Sequence, residues 1–350
     1  MPYRFKTHEP VEKGFRRIAR EQLDAALAEL AGADVGPKNV HECRKSLKRL
    51  RSLVRLSADA IGADTARRRN KTLGEIARLL SARRDRTVML ETIGKLSNDV
   101  ANASASLAPL KSALTAAAPN EPETLDPNIA RKAQHLLVRE AEKFAKMPFS
   151  KRGFAALSGG LAESYRKGRK ASKYAYEEPT DENFHDLRKA VQWHWRQMSL
   201  LSKAWPDEFA VRAHAARELS QLLGDDHDLA VLIAAATKSP AMSDEQKDAA
   251  IALCRQQQQL LRATAEYRAQ RLFAEKPQAF VRRVAFYWRC SRSLDPRLEV
   301  QPPLGQVGVQ DDAAPVAAEV RDLAPGKRPA SVKPRVATKD ETRAPSQRRA

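Results

Sequence analysis

VHECRKSLKRLRSLVRL, residues Val40 to Leu56, decides how the rest of the chain is read. Its apolar residues recur at the spacing of a helix, not a strand. With His41 set at zero on a wheel of about 100° per residue, Arg44, Lys45, Lys48 and Arg55 fall within about 50–60° of it. Arg51 and Arg49 flank that stripe. Cys43, Leu47, Leu50 and Val54 occupy the opposite side. The segment therefore predicts one helix with a packing face and a continuous cationic face.

A second stretch has the same plan. FHDLRKAVQWHWRQMSLL, Phe184 to Leu201, again follows a His by Arg at +3 and Lys at +4. His185, Arg188, Lys189 and Arg196 share one face; Phe184, Leu187, Val191 and Met198 share the other. Gln192 stands where the first copy has Lys48, so the second stripe is weaker. Downstream, LLSARRDRTVML (Leu79 to Leu90) resembles LLGDDHDLAVL (Leu222 to Leu232). His41 to Asp85 spans 44 residues and His185 to Asp228 spans 43. Two motifs that keep their separation in both halves predict a duplicated helical bundle.

The remainder of the chain agrees with an all-α fold. Gly is scarce, at 14 of 350 residues, and Ala, Leu, Arg, Lys, Glu and Gln dominate,. No period-2 alternation is sustained. In the first half, helices are expected from near Pro10 to Leu30, from Asn39 to Gly62, from Thr65 through a bend at LLSARRD to Leu96, and from Ala101 to Ala118. PNEPETLDPN, Pro119 to Asn128, reads as a linker. In the second half they are expected over Ile129–Lys146, Lys151–Tyr176, Thr180–Ala204, Asp207–Ala236, Ser243–Ala274 and Gln278–Cys290. The repeats are thus placed at about 10–118 and 129–293. Leu294 to Ala350 is Pro-rich and aperiodic and reads as a disordered tail.

Charge narrows the partner. The chain carries 62 Lys and Arg against 43 Asp and Glu, a net +19. The excess lies before residue 294, with 52 basic against 35 acidic residues; the tail has 10 against 8. A solvated helix face usually interleaves Glu with Lys at i,i+4. The stripes here contain almost no acid, so their charges repel one another, and a polyanion would offset that cost. The helix that follows the first stripe adds Arg67, Lys71 and Arg78, and its counterpart in the second half offers His214 and Arg217. Rows of cations spaced at a helical turn of about 5.4 Å suit a linear chain of phosphates. The stripes lack interleaved aromatics for base stacking, which disfavours nucleic acid, the nearest rival.

Other classes fit less well. His41-Glu42 and His185-Asp186 would suit a histidine phosphotransfer protein, but no Gly-rich nucleotide loop accompanies them. Glu182-x-x-His185 alone does not make a carboxylate-bridged metal bundle. Cys43, Cys254 and Cys290 are dispersed, which fits a reducing compartment better than a disulfide framework or zinc site. No signal-like N-terminus and no membrane-length apolar run are visible, so a cytoplasmic location is expected. No catalytic residue, metal or cofactor is assigned. His194 falls on an apolar face and reads as a core histidine. Trp193 and Trp195 read as packing residues, Asp85 and Asp228 as structural acids, and His227 as a residue facing the site.

These residues resemble the CHAD family, the conserved histidine α-helical domain. The likeness rests on His41-x-x-Arg44-Lys45 with Lys48-Arg49-x-Arg51, on Arg84-Asp85, on His185-Asp186-Leu187-Arg188-Lys189 with His194-Trp195, and on Leu222-Leu223-Gly224 leading to His227-Asp228-Leu229. It covers about Pro10 to Cys290. The resemblance implies two pseudo-symmetric four-helix bundles around a basic central groove that binds inorganic polyphosphate, with an association with polyphosphate granules. It adds Arg16, Arg20, Tyr165, Arg166 and Arg169 as family-like positions, Arg169 among the ligand-binding set. Gln192 and Trp193 depart from the family pattern, where bases are frequent. The ExExK mark of the fused triphosphate-tunnel domain is absent from the sequence, so hydrolysis is not implied.

Overall fold

Helix-forming composition with few breakers produces twelve α-helices among the described residues, joined by short turns. The computed structural model describes residues 3–32, 34–80, 84–100, 102–116 and 124–293, and side chains from 86 onward in the third of these stretches. These all fall within one unit, Met1–Gln306. The tail reading at 294–350 and the Arg84-Asp85 side chains lie outside the described residues.

In chain order the helices are α1 (Val11–Leu30), α2 (Pro37–Leu56), α3 (Ala58–Ile61), α4 (Ala63–Leu79), α5 (Arg84–Asp99), α6 (Ala103–Ala116), α7 (Pro127–Ala145), α8 (Ala155–Glu177), α9 (Asp181–Leu201), α10 (Pro206–Lys238), α11 (Asp244–Leu272) and α12 (Pro277–Ser293). Local chemistry explains their ends. Pro37, Pro127 and Pro206 occupy the first helical turn, where a missing N–H costs nothing,. Thr180 Oγ1 accepts from Asn183 N at the start of α9. Ser243 and Gln246 form a reciprocal capping box that starts α11,. Gly62, at φ 85°, supplies the left-handed backbone that separates α3 from α4,.

Packing sorts the helices into three groups. The first comprises α1, α2, α4 and α7: α1 lies against α2 and α7, and α4 against the same two. Its core includes Phe15, Ile18, Leu47, Leu50, Leu73, Ile76, Leu137 and Phe144, with Phe15 stacked on Phe144 at 5.8 Å. The second comprises α8, α9, α10 and α12, around Tyr165, Leu187, Val191, Met198, Phe209 and Phe280. The third is the α5–α6 hairpin, which packs against α10 and α11 around a separate apolar cluster that includes Leu107, Leu110, Leu232 and Cys254.

This grouping differs from a division of the chain at residues 119–128. Helix α7, expected in the second repeat, completes the first group. Helices α5 and α6, expected in the first, pack on the second half. The turn signals of that segment do not specify which neighbours the flanking apolar faces find.

The first two groups share one core and meet at a close crossing. A Cβ at Gly160 on α8 would sit on the backbone carbonyls of Arg55 and Leu56 at the end of α2. Beside it, Ser52 Oγ donates to the Trp193 carbonyl at 3.4 Å, so the two helices that carry the His motifs touch directly.

Candidate functional site

Helix α2 turns its apolar face into the core and leans its cationic face against α4. Arg44 Nη1 donates to the Ala77 carbonyl at 3.0 Å. The Arg51 guanidinium carbon lies 3.8 Å from where a Cβ on Gly74 would stand, so the absence of a side chain there gives it room. Arg55 Nη1 donates to Asn70 Oδ1 at 2.7 Å and to the Arg51 carbonyl at 3.3 Å, and its Cζ lies 4.1 Å from the Trp193 ring centroid. His41 and Lys45 are half-buried, the latter 3.5 Å from Glu42, and Lys48 is exposed. On α4, Lys71 and Arg78 are exposed beside this stripe, and Arg67 pairs with Asp64 at 3.2 Å.

Helix α9 leans on α10 in a comparable way. An Arg188 guanidinium nitrogen lies 3.4 Å from where a Cβ on Gly224 would stand. His185 stacks on His227 with centroids 4.4 Å apart and planes 27° apart. Lys189 Nζ donates to Asp186 Oδ1 at 2.6 Å. Arg196 is buried; its Nη1 donates to the Gln192 carbonyl at 3.0 Å and its Cζ lies 4.7 Å from the Trp195 ring. Arg217 approaches the same ring at 6.0 Å.

Three expected site residues are engaged elsewhere. Arg169 Nη1 donates to the carbonyls of Phe273, Ala274 and Glu275, capping the end of α11. Its position one helix before the second His motif concealed this, because the partners lie more than 100 residues downstream. Arg49 rests over Tyr3 at 5.6 Å, and its carbonyl accepts from the Tyr3 hydroxyl. His214 sits 3.3 Å from Glu218, which also binds Arg268 at 2.6 Å. Of the other family-like positions, Arg16 donates to the Met147 carbonyl at 3.0 Å, Arg166 pairs with Glu163, and buried Tyr165 donates to the Leu272 carbonyl at 3.2 Å.

Electrostatics separates the stripe from the other arginines. Arg17 is held by Glu9 at 2.5 Å and Glu21 at 3.2 Å; Arg262 by Asp181 at 2.5 Å and Asp226 at 2.6 Å; Arg283 by Glu275 at 2.6 Å and Glu208 at 2.8 Å. Glu9 and Glu21 raise the pKa of Arg17. Burial acts to lower Arg262 and Arg283, but their carboxylates override it and raise both. Arg51 and Arg55 shift the other way. Burial, then the charge of Arg78, lowers Arg51; burial, then the charge of Arg51, lowers Arg55 to about 10. Neither has a carboxylate partner among the described residues.

The histidines differ in kind. His185 is pushed down to about 4 by burial and by the charges of His227, Lys189 and Arg188, against Asp186. His194, expected in the core, is fully enclosed among Tyr165, Phe273 and Phe280, and burial holds it well below the ordinary histidine value. His227, expected to face the site, forms the stack with His185. Asn70 and Gly74 carried no signal in the sequence, and Gly224 stood there only as part of the family motif, since each matters through a neighbouring helix. Among the described residues no helix is long and apolar enough to cross a membrane, and no group of His, Cys, Asp and Glu is placed to hold a metal ion.

The family model of the CHAD domain matches residues 17–237. A solved structure, PptA from Streptomyces chartreusis, is similar with a TM-score of 0.50 at 16% identity, covering 76% of this chain and 100% of that one. That likeness is one of fold. No curated protein matches the chain.

Proposed function

The chain belongs to the CHAD domain family, and from that premise we propose that it binds inorganic polyphosphate through the cationic faces of α2 and α9. The two faces line a single basic groove, with α2 paired to α9 and α4 to α10 as pseudo-symmetric counterparts in two four-helix bundles. His41, Arg44, Lys45, Lys48, Arg51 and Arg55, with Lys71 and Arg78, form one wall. His185, Arg188, Lys189, Arg196 and Arg217 form the other. The role is one of binding without catalysis, in the cytoplasm and at polyphosphate granules.

The observation that carries this reading is the state of Arg51 and Arg55. Both are half-buried and next to each other, neither has a carboxylate partner among the described residues, and Arg55 is held by neutral partners. Desolvated like charges are costly unless an anion compensates them. A phosphate chain supplies oxygens at every unit and needs no pocket for a base. Arg forks take two of those oxygens and Lys takes one. The contact between Arg55 and Trp193 supports placing the two faces on one path.

Calorimetric titration of the full chain with long-chain polyphosphate, single-stranded DNA and duplex DNA at one physiological salt tests the reading. Polyphosphate is expected to bind most tightly, and both His41→Ala/Arg44→Ala and His185→Ala/Arg188→Ala to weaken it. Equal or tighter binding of DNA would overturn the choice of ligand. Loss in only one double variant would overturn the shared groove.

A further inference from the structure

Helix α9 carries two indoles in its cationic half, and each is covered by guanidinium groups. Arg55 lies on Trp193 at 4.1 Å, and Arg196 and Arg217 lie on Trp195 at 4.7 and 6.0 Å. The Trp193 contact joins the two His-motif helices and is anchored by the Ser52 bond to the Trp193 carbonyl. It falls on an arginine with no carboxylate partner among the described residues.

The way an arginine is held determines what it can still do. A carboxylate holds it by its N–H edge, cancelling its charge and occupying its donors. An aromatic ring holds it by its flat side, keeps the full charge, and leaves the edge for an incoming oxygen. Arg55 donates from Nη1 to Asn70 and to the Arg51 carbonyl. Its ring contact also has a consequence for the indole. A face already covered by a guanidinium is closed to a nucleobase, and base–aromatic stacking is the sequence-tolerant attraction that single-stranded nucleic acid has and a bare phosphate chain lacks.

We propose that Trp193 is a positioning and specificity-determining residue for the polyanion. It keeps Arg55 in place as an unneutralised cation, and because Arg55 covers its ring it offers no stacking platform to bases. The site thereby selects a base-free phosphate chain. This rests on the polyphosphate reading above.

The test compares long-chain polyphosphate with oligothymidylate on the full chain, at one salt concentration, for the wild type and four variants. Trp193→Leu is expected to weaken polyphosphate binding roughly tenfold, and Trp193→Phe to restore most of it. Arg55→Ala removes one phosphate contact for both ligands but uncovers the indole. The preference for polyphosphate over oligothymidylate is expected to fall by at least about tenfold in that variant. In Arg55→Ala/Trp193→Leu the ring is gone and the preference is expected to return. A purely packing role for Trp193 would leave that ratio unchanged in Arg55→Ala, and this result overturns the proposal even if Trp193→Leu does not fold. Polyphosphate binding by Trp193→Leu equal to wild type also overturns it while leaving the polyphosphate reading standing. A wild-type chain that fails to bind polyphosphate removes both.

Discussion

Replacing Arg55 by methionine should make the free protein more stable and bind its ligand less well. Burial and the neighbouring charge of Arg51 lower Arg55 from the ordinary guanidinium value to about 10. Both values lie far above 7, so the residue is charged at neutral pH in the folded and unfolded chains alike. The folded state holds that proton less tightly, so the cost is constant at every pH below about 10 and fades only as pH rises from there toward the ordinary guanidinium value. At 1.36 kcal/mol per pKa unit it is on the order of 3 kcal/mol. Methionine removes this cost and keeps the apolar stem in place. It gives up the bond to Asn70, about 1 kcal/mol, and the contact with Trp193, again about 1 kcal/mol. The balance is a gain of about 1 kcal/mol, or roughly 2 °C in Tm for a chain of this size. Thermal melts in low salt with and without long-chain polyphosphate measure both terms. The free variant should melt higher than wild type, and its ligand-induced rise should be smaller. A fall of more than about 2 °C in the free variant, with an undiminished ligand shift, would refute the reasoning. Arg55 would then be a structural pin, and the argument from unneutralised charge would fail with it.

His185 provides a pH test. It is lowered to about 4 in the folded protein, so it stays neutral there while the unfolded chain takes up a proton near 6.5. The stability it contributes is present above about pH 6.5 and is lost as pH falls from there through about 4; His185→Gln should flatten that part of a urea-melt series. Polyphosphate placed against His185 would raise its pKa. Binding should therefore tighten from pH 7 to 5 with net proton uptake, read by calorimetry in two buffers of different ionisation enthalpy; no uptake would place the ligand away from this histidine. Lys48→Ala and Lys71→Ala should each reduce the slope of log K against log salt by roughly 0.7–0.9, and an unchanged slope would remove that lysine from the path. Arg169→Ala should cost about 2 kcal/mol of stability by uncapping α11, yet leave polyphosphate affinity unchanged when measured well below the melting temperature.

The helical period made most elements legible, because an apolar face must recur every three or four residues wherever it is buried. The described helices flank the bend expected at LLSARRD: α4 ends at Leu79 and α5 begins at Arg84. The break inside the second expected helix was missed. Ser57 interrupts it, its N–H reaching back to the Leu53 carbonyl, before the four-residue α3 begins. Serine carries no obligatory turn signal, whereas Gly62 with its positive φ does,. The partnering of helices was less accessible still. Ala130, Ala133, Leu137 and Phe144 announce a buried face on α7, but nothing in those residues says that α1 and α4 cover it.

The same distinction governs the site. A helical wheel gathers Arg44, Arg51 and Arg55 on one side of α2, and all three meet α4, because direction from an axis is a local property. It does not tell a structural arginine from a binding one. Arg283 finds Glu208, 75 residues away, and Arg262 finds Asp226, 36 residues away. Arg169 finds three carbonyls at the far end of another helix. On a wheel each of these is a cation on a polar face, as Arg55 is. What separates Arg55 is the identity of its partners, an amide oxygen, a backbone carbonyl and an indole, none of which cancels its charge. The sign of the pKa shift records that difference: upward where a fold has spent a carboxylate on holding its arginine, downward where it has packed a cation and left the charge in place. Adjacent arginines shifted downward keep a charge that an incoming polyanion would compensate.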